Sequence, residues 1–189
     1  MDGAVKGSAI SSVVEDVQRL VAEGRLTPET VEAALDKEDL ALLDPATKIL
    51  PSLWYPLASY GRLTELLLRH EGNGELEYLV ERGRRAAERL RAAGLYAQLS
   101  ANRARWGERV GEVMILLGPQ IYRDTAWQIR FTDFRFVIEV DVPASFPDVC
   151  RYQTQGFIEH AASHARGDAV RVASERAFPT RVLFRGEPG

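Results

Sequence analysis

Four groups of side chains have types and spacings that could do chemistry. Cys150 is the only cysteine among 189 residues, and it falls in the first turn of a helix expected to begin near Asp148. Free amide N–H groups and the helix dipole at such a place lower a thiol pKa and favour the nucleophilic thiolate. The same helical spacing aligns Cys150 with Phe157, Ile158, Ala161 and Ala165, an apolar stripe, and cysteine is among the most often buried residues. A packed, inert thiol is expected. His160 and His164 stand four residues apart, able to put two imidazoles on one metal ion. No H-E-x-x-H, no C-x-x-C and no third ligand lies within easy sequence reach, so the pair reads as the polar flank of a surface helix and no metal is expected. His70, in the last turn of its helix, suits the free carbonyls there.

Arg82, Arg84, Arg85, Arg89 and Arg91, followed by Arg103, Arg105 and Arg109, make a locally basic run. A phosphate-bearing ligand, a nucleic acid or an acidic partner could use it. Glu77, Glu81, Glu88 and Glu108 are interspersed, and the arginines project from different sides of their helices, so a solvated face is expected. Residues 1–50 carry 10 acidic and 5 basic side chains, and part of the arginine surface is free to face that half. Among the aromatics, core packing is the default. The candidates for lining a pocket between helices and sheet are Trp54, Tyr55, Tyr60, Tyr78, Trp106, Tyr122, Trp127 and Phe157, together with Gly83. A glycine inside a helix costs up to ~1 kcal/mol relative to alanine, so Gly83 points to close approach of another helix or of a ligand. Phosphate-binding glycine loops and the G-x-S-x-G elbow are absent from the sequence. Nothing assembles an acid, a base and a nucleophile, and an enzyme is not expected.

The elements that must position these residues follow from periodicity. Ile10, Val13, Val14, Val17, Leu20 and Val21 recur at helical spacing before Gly24. Thr27-Pro28-Glu29 is a start signal for a short helix to about Asp36, and Asp44-Pro45 repeats that signal for another that Leu50-Pro51 stops. Further helices are expected from Pro56 to His70, from Glu75 to about Gly94, and from Trp106 to Leu117, where Gly118-Pro119 ends the last. The period then changes to 2: Trp127, Ile129 and Phe131 form one strand and Phe134, Phe136, Ile138, Val140 and Val142 the next, with a hairpin break at Thr132-Asp133. A helix over about 148–165 and strands at 170–175 and 181–185 close the chain. Helices first and an antiparallel sheet afterwards predict an α+β fold: an N-terminal helical layer packed on a C-terminal four-stranded antiparallel sheet with a crossing helix. A single domain over 1–189 is expected, with 8–118 mainly helical and 127–186 the sheet layer. Net charge is −3 at pI ≈ 5.7, which argues against general affinity for nucleic acid. No apolar run of ~18 residues predicts a membrane span. One cysteine fits a reducing cytoplasm.

The proline corner before Cys150, Gly156-Phe157-Ile158 in the crossing helix, and the closing hairpin resemble the end of vinyl-reductase-type small-molecule-binding domains. These share a fold group with haem–nitric-oxide-binding domains and TRAPP vesicle-transport subunits. Lys6-Gly7, Trp54-Tyr55-Pro56, Gly83 and Leu117-Gly118-Pro119 are similar in layout to an uncharacterised myxobacterial family. The resemblance implies helices stacked on a four-stranded sheet with a ligand cavity or partner surface between the layers. Haem–nitric-oxide domains use a proximal histidine and a Tyr-x-Ser-x-Arg motif, and neither has a counterpart here, so no cofactor is expected. Vinyl-reductase-type domains often carry a second cysteine in the closing hairpin, where this chain has Ala177-Phe178-Pro179-Thr180. The expected function is a non-enzymatic sensor or adaptor that binds a small apolar molecule. The alternative is a protein-binding homodimer, TRAPP-like, using the small-residue stripe Gly83-Ala87; an enzyme using Cys150 is a third reading.

Overall fold

The computed structural model describes residues 3–94, 105–132 and 135–189; Arg103, Asp133 and Phe134 lie outside them. The apolar stripe Ile10, Val13, Val14, Val17 and Leu20 is buried on α1 (Gly7–Ala22), and the chain turns away at Gly24 with φ 69. Helix α2 (Pro28–Ala34) starts where Thr27 Oγ1 accepts from the Thr30 N–H at 3.3 Å. The next helix is not the one that Asp44-Pro45 predicts. Helix α3 (Lys37–Leu43) precedes that dipeptide, because the Asp39 carboxylate reaches back to the Asp36 N–H at 3.0 Å. Asp44 instead closes a turn: its side chain accepts from Ala46 N–H and its carbonyl from Thr47 N–H, both at 2.8 Å.

Asp39 is fully buried, and Arg62 donates to it through Nε at 2.6 Å and Nη2 at 3.0 Å. Burial alone would push its pKa up, but the hydrogen bonds from Arg62 and the Asp36 amide outweigh that and hold it below the usual carboxylate range. A depressed folded-state pKa contributes stability that is fully present above the unfolded value of ~3.9 and is lost as pH falls through the folded value. Asp39→Asn is therefore expected to lose roughly 1–2 kcal/mol at pH 7. Thermal melts from pH 7 to pH 2 should show a shallower acid decline for the variant than for the parent; parallel curves would count against this pairing.

Two further elements were not expected from the sequence. Strand β1 (Ala4–Lys6) pairs antiparallel with β2 (Trp54–Pro56), with Val5 opposite Tyr55. Val5 also bridges to Tyr122, and Arg123 N–H donates to Ala4 O at 2.8 Å. The start of the chain thus ties the helical layer to the segment that enters the large sheet. Helix α4 (Leu57–His70) and helix α5 (Leu76–Ala92) follow. Helix α6 (Trp106–Ile121) runs one turn past the expected stop. Pro119 removes one N–H from the ladder, but it sits in the last turn and Tyr122 N–H still closes on Gly118 O at 2.8 Å.

The C-terminal layer is a four-stranded antiparallel sheet of β3 (Ala126–Thr132), β4 (Arg135–Asp141), β5 (Val170–Phe178) and β6 (Arg181–Pro188), in the order β3-β4-β6-β5. Strands β3 and β4 pair antiparallel as expected, but Thr132 belongs to β3, faces Arg135 and is not part of the break expected at Thr132-Asp133. Helix α7 (Asp148–Arg166) crosses between β4 and β5 and ends at Gly167, φ 77. Helix α6 lies on β3 by giving up side chains: a Cβ at Gly107, Gly111 or Gly118 would overlap Phe131, Ile129 or Trp127 respectively. The α+β arrangement of a helical layer, a four-stranded sheet and a crossing helix agrees with the sequence expectation.

Candidate ligand-binding cavity

A cavity of about 390 Å³ lies between α1, α4, α5, α6, α7 and the start of β3. Its apolar wall is formed by Ala86, Leu90, Met114, Leu117, Trp127 and Phe157. Trp127 is fixed from three sides. Its Nε1–H donates to Thr125 Oγ1 at 2.9 Å, Thr125 in turn donates to Tyr122 O at 2.8 Å, and its ring stacks on Phe184 with centroids 6.4 Å apart. Gly118 is what lets α6 accept that ring.

The inner end is polar. Tyr60 donates to Gln153 Oε1 at 2.5 Å, and the fully buried Tyr122 phenol sits beside Tyr60, Thr154 and Cys150. Burial pushes both phenols well above their ordinary pKa, so both stay protonated. Arg82 spans from this end towards α1, where Asp16 accepts from its Nη1 at 2.5 Å. Its Nε–H is buried and finds no acceptor among the described residues. Lys6, Ser8, Ser12, Arg89 and Gln120 also line the cavity, and Ser8, Arg89 and Gln120 are exposed. Lys6 sits over the Trp54 ring, 4.5 Å from its centroid.

Of the residues singled out from sequence, Tyr60, Gly83, Tyr122, Trp127 and Phe157 line this cavity, whereas Trp54, Tyr55, Tyr78 and Trp106 do not. Trp54 backs Lys6 from outside, and Tyr55 uses its hydroxyl to accept from Leu50 N–H at 2.9 Å. Trp106 packs edge-on against Phe131 and Phe136, with centroids 5.8 Å away in each case. Gly83 meets another helix, not only the cavity: a Cβ there would strike Gln153 O and Phe157 N of α7. The Gly83-Ala87 stripe is therefore internal, and a homodimer through it is ruled out by α7 already occupying that face.

Cys150 is fully buried, and burial pushes its thiol pKa up, so the thiolate is not available near neutral pH. His160 lies 2.9 Å from Glu88 and joins α7 to α5. Most of the arginine run is committed within the fold: Arg84 to Glu159 at 2.6 Å, Arg85 to Glu81, Arg91 to Glu88, and Arg105 to Glu108. The sequence reading missed Gln153, Thr154, Met114 and Lys6 as lining residues. The available signal was the glycine series 107, 111 and 118, which marks where strand side chains must enter a helix. A second, more open groove of about 1000 Å³ lies between α1, α2 and α3, and its ionisable lining is mainly acidic (Glu15, Glu32, Asp44 against Lys48).

No family model and no curated protein matches the chain in sequence. Solved H-NOX structures do match its fold. The Fe(II) unliganded H-NOX protein from K. algicida aligns with a TM-score of 0.61 at 11% identity, covering 97% of this chain and 96% of that one. A mutant H-NOX from T. Tengcongensis aligns with a TM-score of 0.60 at 15% identity, covering 97% of both chains. At these identities the likeness is one of fold: this chain has the H-NOX-like α+β architecture.

Proposed function

We propose that the protein is a non-enzymatic ligand-binding sensor or adaptor module, cytoplasmic, that takes a small and mainly apolar molecule into the cavity between its layers. The carrying observation is the cavity itself. Where α6 lies on Phe131 and Ile129 of β3 the contact is close enough to need glycines, yet about 390 Å³ stays open beside Trp127 and Phe157. That volume is within the range of small-molecule sites.

Other structures that match the fold concern haem distortion and haem redox potential. Haem iron is held by histidine, cysteine, methionine paired with histidine, or tyrosinate. Neither Cys150 nor any of His70, His160 and His164 lines the cavity. Tyr60 and Tyr122 are held protonated, and Met114 is a lone thioether. The donor set does not fit haem, so the proposed ligand is an organic molecule bound without an axial metal bond.

The test is native mass spectrometry of freshly purified protein with a thermal-shift screen of lipids, organic acids and tetrapyrroles. At a hundredfold excess over Kd, binding contributes about 2.7 kcal/mol, a Tm rise of roughly 5–10 °C for a domain of this size. No co-purified ligand and no shift with any class would sink the proposal. The homodimer alternative would have to use a different face, and α6 presents the exposed Ile115 and Leu116. Light scattering at micromolar concentration separates the two: a 21.1 kDa monomer removes the dimer.

A further inference from the structure

We infer that the cavity selects organic anions: its occupant has an apolar body against Trp127 and Phe157 and an acidic head at the cationic side of the cavity. This rests on the cavity being a ligand site. The ionisable side chains of the lining, tyrosines apart, are Lys6, Arg82 and Arg89, three cations, with no carboxylate among them. Arg82 is only partly neutralised. Asp16 takes its Nη1, and the buried Nε–H is left without an acceptor among the described residues. A buried donor in that state costs free energy unless a ligand or water supplies the acceptor. Arg89 stands five residues before Gly94 at the exposed end of α5 and, in contrast to Arg84, Arg85 and Arg91, makes no salt bridge with a described residue. Lys6 is oriented by Trp54 and by β1, not by an acidic partner. Three uncancelled or partly cancelled cations around a low-dielectric apolar wall favour an anion strongly over a neutral molecule of equal size. Arginine adds a planar donor pattern that matches carboxylate oxygens.

The volume sets the body. At about 30 Å³ for each water-sized group, the cavity holds roughly 13 of them, so decanoate is a suitable probe and decan-1-ol its neutral counterpart. Calorimetric titration of the purified full chain at pH 7.4 is expected to give a Kd for decanoate at least tenfold below that for decan-1-ol. The double substitution Lys6→Gln, Arg89→Gln, which keeps Arg82, should lower decanoate affinity at least fivefold and so narrow its margin over the alcohol. Both positions are surface-accessible, and an unaltered thermal melt without ligand would show that the variant folds; a variant that unfolds is replaced by Arg89→Gln alone, with at least a threefold loss for decanoate expected. Equal affinities for the two probes, or a decanoate affinity indifferent to the substitutions, would overturn anion selection and leave the cavity reading standing. Binding of neither probe would overturn both.

Discussion

Gly156→Ala is expected to destabilise the protein by about 3 kcal/mol or more, and Gly156→Leu to prevent folding. In an unconstrained helix, alanine would instead stabilise by up to ~1 kcal/mol, so the sign of the change decides the argument. A Cβ at Gly156 would overlap the carbonyl oxygen and carbonyl carbon of Val80 on α5, and one at Gly83 would strike Gln153 O on α7 in the same way. Both obstacles are backbone, which cannot rotate aside as a side chain can. Relief requires α5 and α7 to separate, and that separation strains Arg84–Glu159 (2.6 Å) and His160–Glu88 (2.9 Å). It would also pull apart the Gly83 and Phe157 sides of the cavity. Urea unfolding of the alanine variant tests this directly. A stability within ~0.5 kcal/mol of the parent, the usual range for a surface change, would mean that the two helices are not held at backbone contact.

How much of this was legible in the sequence depends on whether a feature is local. The strand alternation Phe136, Ile138, Val140 and the helical stripe of α1, apart from the exposed Val21 in its last turn, bury the residues that their period says they bury, because one face of each must leave water. The α3 error has a local cause as well: Asp36 and Asp39 form a start signal as good as Asp44-Pro45, and burial of Asp39 against Arg62 settles which is used. β1 and β2 were missed because three-residue strands carry no period, and their pairing spans about fifty residues of sequence. The cavity was half legible. Large aromatics announce that something is buried, but Trp106 and Trp127 look alike in sequence. Only the register of β3 against α6 sends one to Phe131 and Phe136 and the other to the cavity wall. Gly83 was read as a contact of small residues, and the partner turned out to be α7 of the same chain.

Ala86→Phe is expected to lower affinity for every cavity ligand at least a hundredfold while keeping the fold. Ala86 follows Gly83 by three residues on α5 and precedes Leu90 by four, so all three share the face that lines the cavity. A phenyl ring there enters space between Met114, Leu117 and Phe157 that holds no protein atoms, and so it avoids the backbone collision that Gly156→Ala meets. Filling apolar space buries additional hydrocarbon, about 25 cal/mol per Å², so the melting temperature without ligand should stay level or rise. The pattern across variants then separates the parts of the site. Removing the charges of Lys6 and Arg89 should narrow only the preference for an anion. Filling the cavity should cost anion and alcohol alike, since both need the same apolar volume. Calorimetry with decanoate and decan-1-ol on the two variants makes the comparison. Undiminished binding to a folded Ala86→Phe protein would place the ligand elsewhere, and the groove between α1, α2 and α3 would become the site to examine.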